Sequence, residues 1–163
     1  MAGGIGLDTQ GAVEQFLYQQ CEILDGRRWD DWLALFTEDG KYWMPANEDQ
    51  ETGEGLPNIF YEDNYLMDMR VRRLEHPYAH SQKPKNQMSH VVSNVVIEAE
   101  DDNSVVARSK FQVVEYRNDE QRYFAGKYRH QLVKADDGFR IKLQRVDIVN
   151  AEGPFEYVLQ FWL

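Results

Sequence analysis

Ala135-Asp136-Asp137-Gly138-Phe139-Arg140-Ile141-Lys142-Leu143-Gln144 reads as a tight turn followed by a strand. Apolar Phe139, Ile141 and Leu143 alternate with polar Arg140, Lys142 and Gln144, so one face of that strand is expected to meet water. The same texture runs back to Met88. Strand-like runs cover about 88–100, 104–117, 121–134 and 139–149, separated by Asp101-Asp102-Asn103, Asn118-Asp119-Glu120 and the Asp136-Asp137-Gly138 turn. Runs this long exceed the usual five or six residues, which suits a strongly bent sheet.

Upstream the period changes from two to 3.6. Asp8 or Thr9 is placed to cap a first helix reaching Asp25, with Val13, Phe16, Leu17, Cys21 and Leu24 as its apolar stripe and Gly26 ending it. Trp29, Trp32, Leu33 and Phe36 predict a short second helix, stopped by Glu38-Asp39-Gly40. Lys41 to Pro45 predicts a strand, and residues 46–58 an acidic loop. A third helix is expected over Glu62 to Glu75, burying Leu66, Met69 and Leu74, before an irregular segment bracketed by Pro77 and Pro84. Helices followed by a meander give an α+β fold in which three N-terminal helices pack on a curved mixed or antiparallel sheet, with residues 1–163 forming one domain.

Composition narrows the function. The formal charge of −10 disfavours a nucleic-acid partner, because Arg27-Arg28 and the Arg70–Arg73 stretch are the only short basic clusters. A single cysteine, Cys21, excludes an internal disulfide, a CxxC motif and any multi-thiolate metal site, and its place on the helical stripe marks it as a small core residue. Met-Ala-Gly-Gly lacks the features of a signal peptide and no stretch is apolar enough to span a bilayer, so a cytoplasmic protein is expected. The aromatic content, 13%, exceeds what a small core needs and points to an interface or a lined cavity.

Four histidines are the candidates for chemistry. His76 and His80, with Asp63 or Glu75, have the elements of a two-histidine, one-carboxylate iron site, but Pro77 between them disfavours a shared helical face, so solvated loop histidines are the plainer reading. His90 sits on a central strand, where Asp30 or Asp31 would orient it as a general base, beside Tyr18 or Tyr42; a hydrogen-bonded core histidine is the simpler expectation. His130 has no evident partner. Gly3-Gly4-Ile5-Gly6 precedes any strand and so is no dinucleotide turn, and the acids of positions 48–54 lack calcium-loop spacing.

Several segments, in order, resemble the small (β) subunit of Rieske-type aromatic-ring-hydroxylating dioxygenases. They are Arg27-Arg28-Trp29-Asp30-Asp31-Trp32-Leu33-Ala34-Leu35-Phe36, Tyr42-Trp43-Met44-Pro45, Tyr61-Glu62-Asp63 through Arg70 to Leu74, and His90-Val91-Val92-Ser93-Asn94-Val95. Phe124 to Tyr128, Gly138 to Ile141 and the tail Leu159-Gln160-Phe161-Trp162-Leu163 complete the set. Asn86-Gln87-Met88-Ser89 departs from the Arg- or Thr-containing approach common in that family. The resemblance implies an NTF2-like cone and a structural subunit without catalytic, cofactor or metal residues of its own. It also implies an α3β3 hydroxylase whose α subunit holds the Rieske 2Fe–2S cluster and the mononuclear iron, on a trimer of β subunits; one cysteine here is consistent with that division. The alternative is a stand-alone NTF2-like dehydratase or isomerase using His90 and Asp31. Seven apolar residues among the nine of Phe155 to Leu163 lead to the further expectation that sheet and tail build the trimer.

Overall fold

The computed structural model describes residues 5–155 and 158–163; Gly3-Gly4 and, in the tail, Glu156-Tyr157 lie outside the described residues. Helix α1 (Ile5–Asp25) is already running at Ile5, so Asp8 lies in its first turn, where its charge suits the helix dipole, instead of capping it. Thr9 Oγ1 instead donates to Glu100 Oε1 at 2.9 Å. At the other end Arg28 N–H bonds to Ile23 O and Arg27 N–H to Leu24 O, both at 3.0 Å, and Arg27 takes φ 53°. This is a Schellman ending whose left-handed residue is Arg27, one position after the expected Gly26.

Helix α2 (Trp29–Leu33) is shorter than expected, because Phe36 leaves it to open β1 (Phe36–Pro45). Strand β1 lies parallel to β6 (Gly138–Ile148), with Phe36 opposite Ile141 but Lys41 opposite Leu143. Glu38-Asp39-Gly40 is therefore a bulge inside the strand and not a helix stop. Gly40 is required there: a Cβ would come within 2.9 Å of Ile141 O and Thr37 O.

A second strand absent from the sequence reading, β2 (Asn58–Asp63), pairs antiparallel with β1. It delays α3 (Asn64–Glu75), whose first turn is capped by Asp63 Oδ1 accepting from Leu66 N–H at 3.0 Å. Its buried face is Met67, Val71 and Leu74, at i, i+4 and i+7, while Leu66 and Met69 are 43% and 39% exposed. A 3-10 turn (His80–Gln82) then leads to β3 (Gln87–Glu100), β4 (Ser104–Arg117) and β5 (Glu120–Ala135), each within about a residue of expectation. Asn118 and Asp119, both with positive φ, form the two-residue hairpin turn between β4 and β5.

The six strands run β2-β1-β6-β5-β4-β3, mixed only at the parallel β1–β6 pair. Bulges set its curvature. At Asn94 (φ 54°) two residues of β3 face one of β4, and on β6 an extra residue at Lys142 reverses the parity. As a result Gln144 is fully buried and Leu143 faces outward, the opposite of the simple alternation. On the concave face α1 and α2 cover a core centred on Trp29, Trp32, Phe36, Tyr42, Phe60 and Trp162.

Candidate functional site

His90 points inward from β3, its side chain 1% exposed, and meets Asp25, the last residue of α1. Nδ1 lies 2.6 Å from Asp25 Oδ1, and the His90 backbone N–H reaches both carboxylate oxygens at 3.1 Å. An acid at a helix C-terminus opposes the dipole, so Asp25 is retained there by its strand partners and staples α1 to β3. His90 Nε2 is buried and has no hydrogen-bond partner among the described residues.

Asp30 and Asp31, the acids expected to orient His90, are not its partners. Asp31 stands at the surface, 3.3 Å from Arg28, with its side chain 58% exposed, and Asp30 is also exposed. Helix α2 turns both acids to solvent because Trp29 and Trp32 occupy its inner face. Tyr18 is 42% exposed. Tyr42 is inside, but its hydroxyl accepts from Leu163 N–H at 3.0 Å and donates to Leu163 O at 3.2 Å, and burial pushes its pKa far up. It is a tether for the tail. Asp25 escaped notice because nothing local marks it; its partner lies 65 residues away.

His130 is fully buried with Gln20 and Gln144: Nε2 is 3.2 Å from Gln20 Oε1, and Gln20 donates to Gln144 at 2.5 Å. Desolvation lowers its pKa from 6.5 to about 4, so it is neutral at physiological pH. The Cys21 thiol is pushed up to about 12, first by burial and then by Asp25 and Glu22, which removes its nucleophilic form. His76 and His80 do not share a helix: α3 ends at Glu75, and His76 Nδ1 accepts from Tyr78 N–H at 3.1 Å. Asp63 is the α3 cap, so the supposed iron ligands are dispersed. Among the described residues no group of three histidine, cysteine or acidic side chains is placed to hold a metal ion, and no helix is long and apolar enough to cross a membrane.

The tail occupies the concave side. Leu159, Phe161, Trp162 and Leu163 are all under 10% exposed, and Trp162 packs on Trp32 (4.2 Å) and Trp29 (5.6 Å). Its indole N–H donates to Glu62 Oε2 at 3.1 Å, while Arg70 donates through Nε to Glu62 Oε1 at 2.7 Å and reaches Gln160 O at 3.4 Å. The described end of the tail, Leu159 and Phe161 to Leu163, thus packs on its own chain, while Phe155 and Val158 remain exposed.

A bent six-stranded sheet closed over helices and filled by aromatic side chains is an NTF2-like fold. A family model described as the ring hydroxylating beta subunit matches residues 19–152. The anthranilate 1,2-dioxygenase small subunit of Acinetobacter baylyi is 29% identical over 163 residues, covering 97% of this chain and 99% of that one. The small oxygenase component of the p-cumate 2,3-dioxygenase system of Pseudomonas putida is 32% identical, over 84% of this chain and 77% of its own. The crystal structure of the benzoate 1,2-dioxygenase β subunit of Burkholderia mallei superposes with a TM-score of 0.75 at 24% identity, over 90% and 95% of the two chains. The chain belongs to the ring-hydroxylating β-subunit family.

Proposed function

We propose that the chain is the non-catalytic, structural β subunit in the terminal oxygenase of a multicomponent aromatic-ring-hydroxylating dioxygenase, an oxidoreductase of aromatic catabolism. Residues 1–163 form one NTF2-like domain that assembles in the cytoplasm as the trimeric base of an α3β3 hexamer. The α subunit carries the Rieske 2Fe–2S cluster and the mononuclear iron, and receives electrons from NADH through partner proteins. The residues of this chain do not fit either centre. Its single thiol is held protonated, and its histidines are separately engaged or dispersed.

The observation that carries this reading is the filled cone. Trp162 and its neighbours occupy the concave side, and the His90 ring is enclosed in that same interior. The dehydratase-like reading retains one favourable fact, the unpartnered His90 Nε2 opposite an aspartate-bound Nδ1. Co-expression with a Rieske-bearing large subunit, followed by light scattering and iron analysis, tests the proposal. Expected are an iron-free chain alone and an iron-bearing hexamer together. Stoichiometric iron on the isolated chain, or failure to co-purify, overturns it.

A further inference from the structure

Three successive rows at one end of the sheet's outer face carry no charge. Gln87 on β3 stands opposite Tyr116 on β4, which stands opposite Gln121 on β5. Ser89, Val114 and Tyr123 form the second row, and Val91, Gln112 and Ala125 the third. Residues opposed across a ladder share a face, and those alternating with them, such as His90, Val113 and Phe124, point inward and are buried. The nine positions therefore form one continuous outer surface. Val149 extends it: its N–H donates to Ala125 O at 2.9 Å and it is 80% exposed. The two rows beyond are charged, for Ser93 leads across to Lys110, Lys127 and Asp147, and Val96 to Arg108, Arg129 and Arg145.

In a chain of which 28% of the residues are charged, such a gap is out of keeping with a face that meets only water. Tyr123 is 72% and Val91 57% exposed. The tyrosine hydroxyls are already engaged within their own hairpin, Tyr116 donating to Asp119 Oδ1 at 2.9 Å and Tyr123 to Gln121 Oε1 at 2.7 Å. Their rings thus lie on the surface and call for no further hydrogen bond. Tyrosine among apolar and uncharged neighbours is the composition of the buried centre of a protein interface, and exposed apolar side chains gathered in one place mark such a site. Charge selects the occupant. Two copies of a chain at −10 repel wherever their acids face each other, and this surface lets them approach without that repulsion. The rim suits a second copy as well. Around the adjoining cleft of about 710 Å³ stand Lys110 and Lys127 but also Glu48, Asp147 and Glu152, so each copy brings both signs to the other's rim. Strand addition at this end is not the mode, because the His90 N–H on the β3 edge is already held by Asp25.

We propose that copies of this chain meet through this uncharged face, with Tyr123 and Val91 at the centre of the contact. The proposal deepens the subunit reading above and rests on it for the number of copies. Light scattering of the full chain over a dilution series in the micromolar range provides the test. The native chain is expected to associate. Tyr123→Glu and Val91→Glu are each expected to raise the concentration needed for association about tenfold or more, with an unchanged circular dichroism spectrum. Tyr78→Glu puts the same charge on a tyrosine 77% exposed in the segment before β3, and is expected to leave association as it is. Should the strand variants fail to fold, Val149→Glu, just beyond the end of β6, makes the same comparison. A native chain that stays monomeric, folded variants that associate like the parent, or a Tyr78→Glu effect equal to that of Tyr123→Glu each overturns the proposal. Co-expression with the large subunit separates the two readings. Association that is lost in Tyr123→Glu, in a native chain that fails to co-purify with the large subunit, supports the contact and removes the subunit reading. A Tyr123→Glu chain that keeps the native oligomer but loses the large subunit assigns the face to that subunit and overturns the proposal.

Discussion

Replacing Trp162 by alanine removes a fully buried indole that joins α2, β2 and the tail. Emptying such a site costs about 3–5 kcal/mol through lost transfer energy and residual cavity. The lost indole N–H adds to this, since Glu62, itself 6% exposed, keeps only its Arg70 partner. Against a typical stability of about 5–15 kcal/mol, that is a large fraction of the total. Trp162→Phe separates the two contributions: ring packing is mostly kept, and loss of the N–H donor alone costs about 1–3 kcal/mol. The assay is urea unfolding followed by far-ultraviolet circular dichroism, in which the midpoint falls and the slope stays constant. For a chain of this size 3–5 kcal/mol lowers Tm by roughly 10 °C. A loss below about 1 kcal/mol in Trp162→Ala would show that the tail does not close the cone, and the filled-core reading would be withdrawn.

Three further outcomes are expected. His90→Ala unpairs Asp25 and lowers stability by about 1–3 kcal/mol, while turnover of the assembled oxygenase falls only as far as assembly does; a loss of about 100-fold or more in a fully assembled variant would favour a general-base role. Because the folded pKa of His130 is about 4 against 6.5 unfolded, the unfolded chain binds the extra proton between those values. Its contribution makes stability fall as pH drops from 6.5 to 4, by a total of about 3 kcal/mol, and level off below; His130→Gln should flatten that slope in unfolding measured across this range, and an unchanged slope refutes the assignment. Gly126→Ala would set a Cβ 2.0 Å from Asp147 O, so β5 and β6 cannot keep their pairing; soluble protein within about 1 kcal/mol of the parent would contradict this.

The strands from β3 to β6 were legible because their turns are local: Asn118-Asp119 or Asp136-Asp137-Gly138 needs no distant partner to be recognised. The first two strands were not. Phe36 fits helical spacing with Trp29 and Trp32, and it becomes a strand residue because Ile141 lies beside it, 105 positions on. The same limit hid Asp25, since Asp30 and Asp31 looked equally available until α2 turned them to solvent. Within α3, Leu66 and Met69 are as apolar as Met67 and Val71, and which set is buried is decided by the elements the helix packs on, which the local sequence does not show. The alternation along Phe139 to Gln144 misleads for a related reason, because one bulge at Lys142 exchanges the two faces. The tail was apolar enough to demand burial, but its sequence does not say whether the cover is its own chain or another copy.

The parallel pairing of β1 with β6 has a consequence for synthesis. Every other pair of neighbours in the sheet is antiparallel and consecutive in the chain, but Phe36 emerges 105 residues before its partner Ile141. At about 5–20 residues per second, a nascent chain spends roughly 5–20 s with that edge of β1 unpaired and the tryptophans of α2 uncovered. Premature termination before β6 therefore leaves a sticky fragment with no native resting state, and the chain's yield in a cell rests on protection through that interval as much as on its final stability.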